Sequence, residues 1–392
     1  MTGSAAPIAT PLRSALRLPV DPLLVLATAG LAACSLLAIG ASTQDDIAGS
    51  PHYYLIRQAI YFGIGAVLVA AISRVDYSRL RELKYGVYGL MLLLIAAVVA
   101  FGSVARGSRR AIDLPLFQLQ SSELGKVLLV VALSAFVVDR TRRLRERETT
   151  ARIVLLALIP AAMVMAQPDL GSALVYIVIV LAVLFAGGTS WKHFAGLAAL
   201  AAAAIALALT AAPAAGVTVL HHYQVERLTS FLHPSDDPGD AGYQQNQARI
   251  AIGAGQKTGR GDSATQTRLN FLPEHHTDFI FAVVGERWGF VGAALVLSLY
   301  ALLIWRGLRI LTMAKNLYGA LLAAGIVAML MFQVFVNVGM NVGIMPITGI
   351  PLPLMSYGGS SVLTTLIAVG LLQSIYAQGT RAAATKGRIT AT

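Results

Sequence analysis

The chain has 392 residues, 56% of them hydrophobic and only 12% charged, with a mean hydropathy of +0.70 and a formal net charge of +11. A soluble globular domain carries about a quarter charged residues, so this composition excludes an ordinary water-soluble fold and puts most of the chain in lipid. The basic surplus is scattered through loops rather than gathered on one face, which excludes nucleic-acid binding as its explanation.

A membrane-spanning helix takes about 20 mostly apolar residues. Ten such runs are predicted, near 22–41, 54–73, 86–105, 124–139, 152–166, 170–187, 193–214, 279–305, 318–343 and 361–378. The expected fold is therefore all-α and polytopic, a single transmembrane domain over 22–378 between short tails at 1–21 and 379–392. One long connection, 215–278, precedes the eighth span. The first run holds Cys34, the only cysteine, so no intrachain disulfide can form. Leu31-Ala-Ala-Cys34 imitates a lipoprotein cleavage site. The apolar run continues through Ser35 to Ile39, as a span does and a removed signal does not.

Basic residues set the orientation. With a cytoplasmic N-terminus, the inner segments hold 19 of the 30 basic residues and 6 of the 19 acidic ones, a net of +13. The remainder nets −2. This is the positive-inside pattern, and it puts both termini in the cytoplasm and 215–278 outside.

An ionisable residue in a span costs about 2.5–3.5 kcal/mol on insertion scales, so each is a site candidate. Four clusters qualify, all toward the outer face. The first is Arg106-Gly-Ser-Arg109-Arg110, followed by Ser121-Ser-Glu123-Leu-Gly-Lys126 at the start of the fourth span. Outer arginines run against the topological bias, and Arg109 and Arg110 suit an anion such as a lipid-linked diphosphate. Glu123 and Lys126, three residues apart, can also form a purely structural pair. In the second cluster, Gln167-Pro-Asp169-Leu-Gly-Ser172, Asp169 either caps the sixth span or lines a polar cavity or cation site.

The third cluster is the long connection and its exit. Connections of this length are usually functional, and this one, amphiphilic in composition, is expected to form short helices over the outer membrane face. It carries Arg227, Asp236, Asp237, Tyr243, Gln244, Arg249, Lys257 and Arg260. Gly253-Ala-Gly-Gln-Lys257 imitates a phosphate loop but lacks the preceding strand and the full spacing. At the exit, Leu272-Pro-Glu274-His275-His276-Thr277-Asp278-Phe279 leads into the eighth span. Thr277 or Asp278 is the expected N-cap. Glu286 lies about two turns deeper on the same face and needs a partner such as Arg287. The adjacent histidines are open to a metal, although adjacency alone requires none.

The fourth cluster, Asn337 to Ser361, is an uncharged break rich in Gly and Pro. Irregular backbone at membrane depth is tolerated only inside protein or along a watery cavity. Ser356, Gly358, Gly359 and Ser360 either aim N–H groups at an anion or form a re-entrant turn without a ligand.

Taken together, these stretches resemble the SEDS (shape, elongation, division and sporulation) family of peptidoglycan glycosyltransferases. The carrying residues are Ser122-Glu123 with Lys126, Gln167-Pro-Asp-Leu-Gly171, Gly242-Tyr-Gln244, Leu272-Pro-Glu-His-His-Thr-Asp-Phe-Ile-Phe-Ala282, Thr348-Gly-Ile-Pro-Leu-Pro353 and Ser356-Tyr-Gly-Gly-Ser360. They run in the family order over roughly 100–380. Thr265-Gln266 and the run 269–273 look more like the RodA elongation branch than the FtsW division branch.

The resemblance implies processive polymerisation of lipid II, the undecaprenyl-diphosphate-linked disaccharide-pentapeptide, at the outer face of the bacterial cytoplasmic (inner) membrane. It places the family's essential aspartate on Asp278, which is expected to be the catalytic base of an inverting displacement or to orient the acceptor 4-hydroxyl. The family's Glu and Lys fall on Glu123 and Lys126, and the residues themselves make Arg109, Arg110, Asp169, Arg227, Tyr243, Arg249, Lys257, Glu274, His276, Thr277, Ser356, Gly358, Gly359 and Ser360 candidates for further substrate contacts. A divalent cation (Mg or Mn) held partly by Asp278 is a variant of this scheme, and no organic cofactor is implied. The implied partners are the nascent glycan strand, membrane lipids and a class B penicillin-binding protein acting as transpeptidase. The rival function is a lipid II flippase using the same cavity. Four positions depart from the family pattern: Ala111 stands where a Trp is usual, Ser121 for Pro, Asn270 for an acidic residue, and Arg287 for a second Glu.

Overall fold

The computed structural model describes residues 19–44, 46–47, 49–105, 108–113, 118–209, 241–268 and 271–389. Arg227, Asp236 and Asp237, with the rest of 215–240, lie outside the described residues. The spanning helices are α1 (Pro22–Ser42), α2 (Tyr53–Ile72), α3 (Lys84–Phe101), α4 (Ser121–Asp139), α5 (Arg147–Met165), α6 (Leu170–Ala186) and α7 (Trp191–Leu209). After the long connection come α8 (Ala241–Gly255), the single turn α9 (Thr265–Arg268), α10 (Ile280–Met313), α11 (Leu317–Val342) and α12 (Gly359–Ile389). Eight of these are long and apolar enough to cross a membrane, and the shorter apolar α6 and α7 occupy the other two expected positions. The fold is an all-α multi-pass membrane bundle. The helix α1 runs unbroken through the buried Cys34.

In lipid only a helix can satisfy its backbone unaided, so the apolar runs become helices, and their ends fall where side chains can cap them. Asp21 Oδ1 accepts from the Leu24 N–H at 3.0 Å, Asp169 Oδ1 from Ser172 at 3.0 Å, and Asn316 Oδ1 from Gly319 at 2.9 Å. The interior is built on α4, α11 and α12, whereas α2 and α3 turn most of their surface outward. Packing there is close. Tyr176 of α6 passes over Gly125 of α4 to donate to the Ser122 carbonyl at 3.1 Å, and a Cβ at Gly125 would fall 2.0 Å from the phenol oxygen.

Helix direction alternates through the bundle. One end, the site end, gathers the N-termini of α2, α4, α6, α10 and α12 with the C-termini of α1, α3, α5 and α11. The opposite end carries ion pairs: Arg306 with buried Asp21, Arg81 and Lys84 with Asp139, and Lys315 with Asp76 at 2.9 Å. Gln373 brackets the Asp21 backbone, accepting its N–H at 2.9 Å and donating to its carbonyl at 3.2 Å, which ties α1 to α12.

Three features depart from the expectations of the sequence. The 103–119 connection folds into a small antiparallel sheet, β1 (Ser103–Ala105), β2 (Ser108–Asp113) and β3 (Gln118–Leu119), with Val104 opposite Arg109 and Ile112 opposite Leu119. Thr277 and Asp278 do not cap α10. They lie in the turn before it, where the Thr277 hydroxyl reaches back to Glu274 Oε2 at 2.9 Å, and Phe279 takes the N-cap position without a side-chain bond. The helix α8 is not simply laid over the membrane face. Its Ala248 and Ala251 are fully buried against Leu272, Phe279, Ala282, Met340 and Ile347, because small residues on one side allow close approach to α10 and α11. The Gly253–Lys257 stretch is the end of that helix and its exit turn, not a phosphate loop.

Helix α10 is kinked at Gly289, whose φ of 62° and ψ of −157° lie in a region essentially reserved for glycine. The kink admits another stretch of backbone: a Cβ there would lie 2.4 Å from Gly259 N and 2.7 Å from the Lys257 carbonyl carbon. The opened ladder is satisfied by the same stretch, since Phe290 N–H donates to Gln256 O at 2.8 Å and Val291 N–H to Lys257 O at 3.1 Å. Gly289→Ala combines backbone strain of about 1–3 kcal/mol with a clash against backbone that cannot swing aside. The expected outcome is a thermal unfolding midpoint in detergent several degrees below wild type, whereas Ala293→Gly one turn on shifts it less. Equal midpoints for Gly289→Ala and wild type would show that the kink is not required.

Candidate functional site

The break between α11 and α12, residues 343–358, is the frame of the site. Its backbone is satisfied largely by side chains from other elements. Gln245 of α8 donates to Met345 O at 2.9 Å and Asn337 of α11 to Ile350 O at 2.8 Å. The Tyr300 phenol of α10 donates to Pro353 O, Ser35 of α1 to Met355 O at 2.8 Å, and Gln58 of α2 to Ser356 O at 3.1 Å. Within the break, Ser356 Oγ accepts from the Leu352 N–H at 2.8 Å. Five helices therefore fix one irregular strand.

That strand in turn holds the 274–278 turn. Ser356 Oγ donates to the Thr277 carbonyl at 2.6 Å, and the Tyr357 N–H donates to the His276 carbonyl at 2.8 Å. The Asp278 carbonyl accepts from both Asn337 Nδ2, at 3.0 Å, and Asn341 Nδ2, at 3.2 Å. With its backbone fixed from two elements, Asp278 stands half-buried at the head of α10. Glu274, four residues earlier, adopts φ +54°, an uncommon conformation for a residue with a side chain, and its carboxylate accepts from Thr277. His276 lies against Tyr54 and Tyr357, with ring centroids at 4.6 and 5.8 Å. Burial pushes the Tyr357 phenol pKa well up, Tyr61 adds to it and Arg57 opposes it, so this wall of the site stays neutral.

The second half of the site is at the heads of α4 and α6. Asp169, besides capping α6, accepts from Ser122 Oγ at 2.8 Å and from Gln120 Nε2 at 3.3 Å. The capping reading of Asp169 is realised, and the same carboxylate also joins hydrogen bonds from Ser122 and Gln120. Glu123 and Lys126 are 2% and 1% exposed and pair with each other, so this ammonium is spent on its neighbour. Ser360 joins the two halves, donating to Gln118 O at 2.6 Å and accepting from the Gln120 N–H at 2.9 Å. Gly358 N–H goes to Gln58 Oε1 at 3.4 Å, while Gly359 and Ser360 form the first turn of α12, where amides lack helical acceptors.

Three further sequence-chosen residues lie on α8 and its exit turn. Arg249 is exposed and its Cδ runs across Gly343, 2.8 Å from where a Cβ would be. Tyr243 is half-buried and Lys257 exposed. The backbone of Arg109 and Arg110 is in β2, and their side chains lie outside the described residues, as does Arg227. Glu286 is fully buried, its Oε1 accepting the Gln266 N–H at 2.8 Å. Arg287 reaches Asp262 at 2.9 Å and the Ala41 carbonyl instead of serving only its neighbour. Sequence reasoning missed Ser35, Gln58, Gln120 and Tyr300. The available signal was weak: a lone polar residue inside an apolar run. Arg57 near the start of α2 was the stronger clue, a guanidinium 4.6 Å from the Tyr53 ring. Among the described residues, the ligand group able to hold one ion is Asp46 with His275 and His276, and Asp278 is not a member.

Comparison with known proteins gives one consistent result. The model of the FtsW, RodA and SpoVE family, described as a cell cycle protein, matches residues 21–381. The peptidoglycan glycosyltransferase MrdB of Escherichia coli is 35% identical over 358 residues, covering 91% of this chain and 93% of that one. The stage V sporulation protein E of Bacillus subtilis is 32% identical over 361 residues, 91% of this chain and 96% of its own length. Among solved structures, a chain of a peptidoglycan synthase complex that coordinates polymerization and crosslinking is 33% identical. It superposes with a TM-score of 0.79 over 93% of this chain and 99% of that one. The rod shape determining protein RodA of Thermus thermophilus is 31% identical with a TM-score of 0.64, over 92% and 97%.

The Glu123–Lys126 pair makes a stability test of this frame. Glu123→Gln leaves a buried ammonium without its counter-charge, a loss of about 3–5 kcal/mol. The double change Glu123→Gln with Lys126→Met removes both charges and is expected to recover most of the unfolding temperature. A single variant as stable as wild type would show that the pair carries no structural weight.

Proposed function

The chain belongs to the FtsW, RodA and SpoVE family, and from that premise we propose that it is a peptidoglycan glycosyltransferase polymerising lipid II at the outer face of a bacterial cytoplasmic membrane, in cell elongation. The observation that carries this reading is Asp278. It is a half-buried carboxylate on a backbone held by Asn337 and Asn341, at the end of the bundle where Glu123, Lys126, Asp169 and Glu286 also gather. The charge asymmetry of the loops supports placing that end outside.

Glycosyl transfer from a diphosphate needs a base for the incoming hydroxyl and positive charge for the departing diphosphate. In this scheme Asp278 takes the proton of the acceptor 4-hydroxyl as that oxygen attacks the donor anomeric carbon. The undecaprenyl diphosphate leaves from the opposite face, inverting the centre. Arg249 of α8, with Arg109, Arg110 and Arg227, binds the diphosphates, while Tyr243, Lys257 and His276 contact the sugars. Glu123, Lys126, Asp169 and Ser360 set the wall opposite Asp278, and Glu274, Thr277 and Ser356 hold its turn. A Mg or Mn ion held partly by Asp278 would supply positive charge to the departing diphosphate. A class B penicillin-binding protein crosslinks the strands. The relative in the synthase complex, in which polymerization and crosslinking are coordinated, supports that partner.

A flippase needs a polar path through the full depth. Among the described spanning helices, Asp, Glu, Lys and Arg are confined to the turns near each end, which favours chemistry at one face. Asp278→Asn is nearly isosteric and keeps the backbone contacts. Purified in detergent with lipid II, it is expected to lose at least about 100-fold in polymerisation, the scale of a removed general base, with an unchanged unfolding temperature. Glycan of normal length and rate from that variant would exclude Asp278 as the base.

A further inference from the structure

We propose that Asp46, His275 and His276 form a mononuclear site for a zinc-class divalent ion, clamping the α1–α2 connection to the turn that bears Asp278. Asp46 lies beyond the end of α1, more than two hundred residues away in sequence from the histidines. The three ligand atoms nevertheless lie within 4.8 Å of one another. His275 Nε2 is 3.3 Å from Asp46 Oδ2, and His276 Nδ1 is 3.8 Å from the same oxygen. Two metal–ligand bonds of about 2.1 Å at a tetrahedral angle separate their donors by about 3.4 Å. The two imidazole–carboxylate spacings are therefore close to those of a filled site.

The hydrogen bonding of His275 supplies an independent argument. Its Nδ1 is 3.2 Å from the Leu272 carbonyl, an atom that can only accept, so Nδ1 carries the hydrogen in the neutral ring. That tautomer leaves a bare lone pair on Nε2, which is enclosed, 3% exposed at the residue level, and makes no hydrogen bond. A lone pair facing a carboxylate oxygen at 3.3 Å is repulsive unless a cation lies between them. A histidine that gives one N–H to a carbonyl and turns the other nitrogen to an acidic partner has the outer-shell arrangement of a metal ligand. Two imidazoles with one carboxylate select a borderline ion such as zinc over magnesium, which prefers six oxygens. Three protein ligands leave a fourth position for water. The role inferred is positional: the ion fixes His276 and the start of the 274–278 turn, whose backbone Ser356 and Tyr357 already hold. It stands independently of the glycosyl-transfer reading.

The test uses the full chain in detergent, stripped with a chelator and titrated with Zn(II), or with Co(II) as a spectroscopic probe. The expected result is one ion per chain, visible Co(II) bands of a low-coordinate site and a higher unfolding temperature. X-ray absorption should show two imidazole nitrogens and one carboxylate oxygen at about 2.0–2.2 Å. Asp46→Asn and His275→Gln, checked for an unchanged elution profile, should bind at least about tenfold more weakly and lose the Co(II) bands. The proposal is overturned if wild type shows no saturable one-to-one binding. It is equally overturned if both variants titrate like wild type, or if chelation leaves stability unchanged, as a proton shared by His275 and Asp46 would predict. The wild-type absorption and Co(II) spectra decide the matter even where a variant fails to fold.

Discussion

Backbone polar groups at membrane depth must be satisfied by protein, and the 343–358 break is where this constraint presses hardest on the fold. Pro346, Pro351 and Pro353 ease it by removing three amide hydrogens. The carbonyls remain, and Gln245, Asn337, Tyr300, Ser35 and Gln58 reach in from five helices to meet them. This explains the buried polar side chains at those positions. It also explains why the site is rigid without regular secondary structure, since each contact is made by a different helix. The same strand donates the Tyr357 amide and the Ser356 hydroxyl to the turn before Asp278. Backbone satisfaction and placement of the key carboxylate are thus one network.

Electrostatics divides the acidic residues of this end into kinds. Glu123 is neutralised by Lys126 inside the bundle, and its pairing makes it part of the wall. Asp169 accepts from Ser122, Gln120 and the Ser172 amide at a helix N-terminus, whose dipole favours an anion. Asp278 differs in being half-buried, with its carbonyl rather than its carboxylate used by Asn337 and Asn341. Asp278 thus combines partial exposure with a locked backbone. That combination is what a general base requires.

Much of this was legible in the sequence, and the reasons differ by feature. The spans could be read because lipid allows little besides an apolar helix, and ten expected runs match ten helices to within a few residues apart from the extended ends of α10 and α12. Asp169 as a cap was legible because capping is local. The N-cap at Thr277 or Asp278 was not, because Glu274 captures the Thr277 hydroxyl in a turn that propensity does not encode. The sheet at 103–119 and the buried face of α8 depend on contacts formed after the bundle assembles. Asp46 could not have been joined to the histidines from the sequence at all. Only the folded chain brings the end of α1 beside residue 275.

The first turns of α10 tie these parts together. Asp278 is at the head of the helix. Two turns on, Glu286 accepts the Gln266 amide with its carboxylate and the Arg260 amide with its carbonyl, at 2.8 Å each. Arg287 then reaches Asp262 on one side and the end of α1 at Ala41 on the other. A second glutamate at 287 would face the Ala41 carbonyl and Asp262, both acceptors, so the local surroundings select a cation there. The kink at Gly289 completes the arrangement by handing the next amides to Gln256 and Lys257. Glu286 is therefore an anchor rather than a second base: it is fully buried, and it holds the loop 256–266 against the helix that carries Asp278. Any movement of that loop when a large lipid-linked sugar arrives would act on Asp278 through these bonds, along less than three turns of helix.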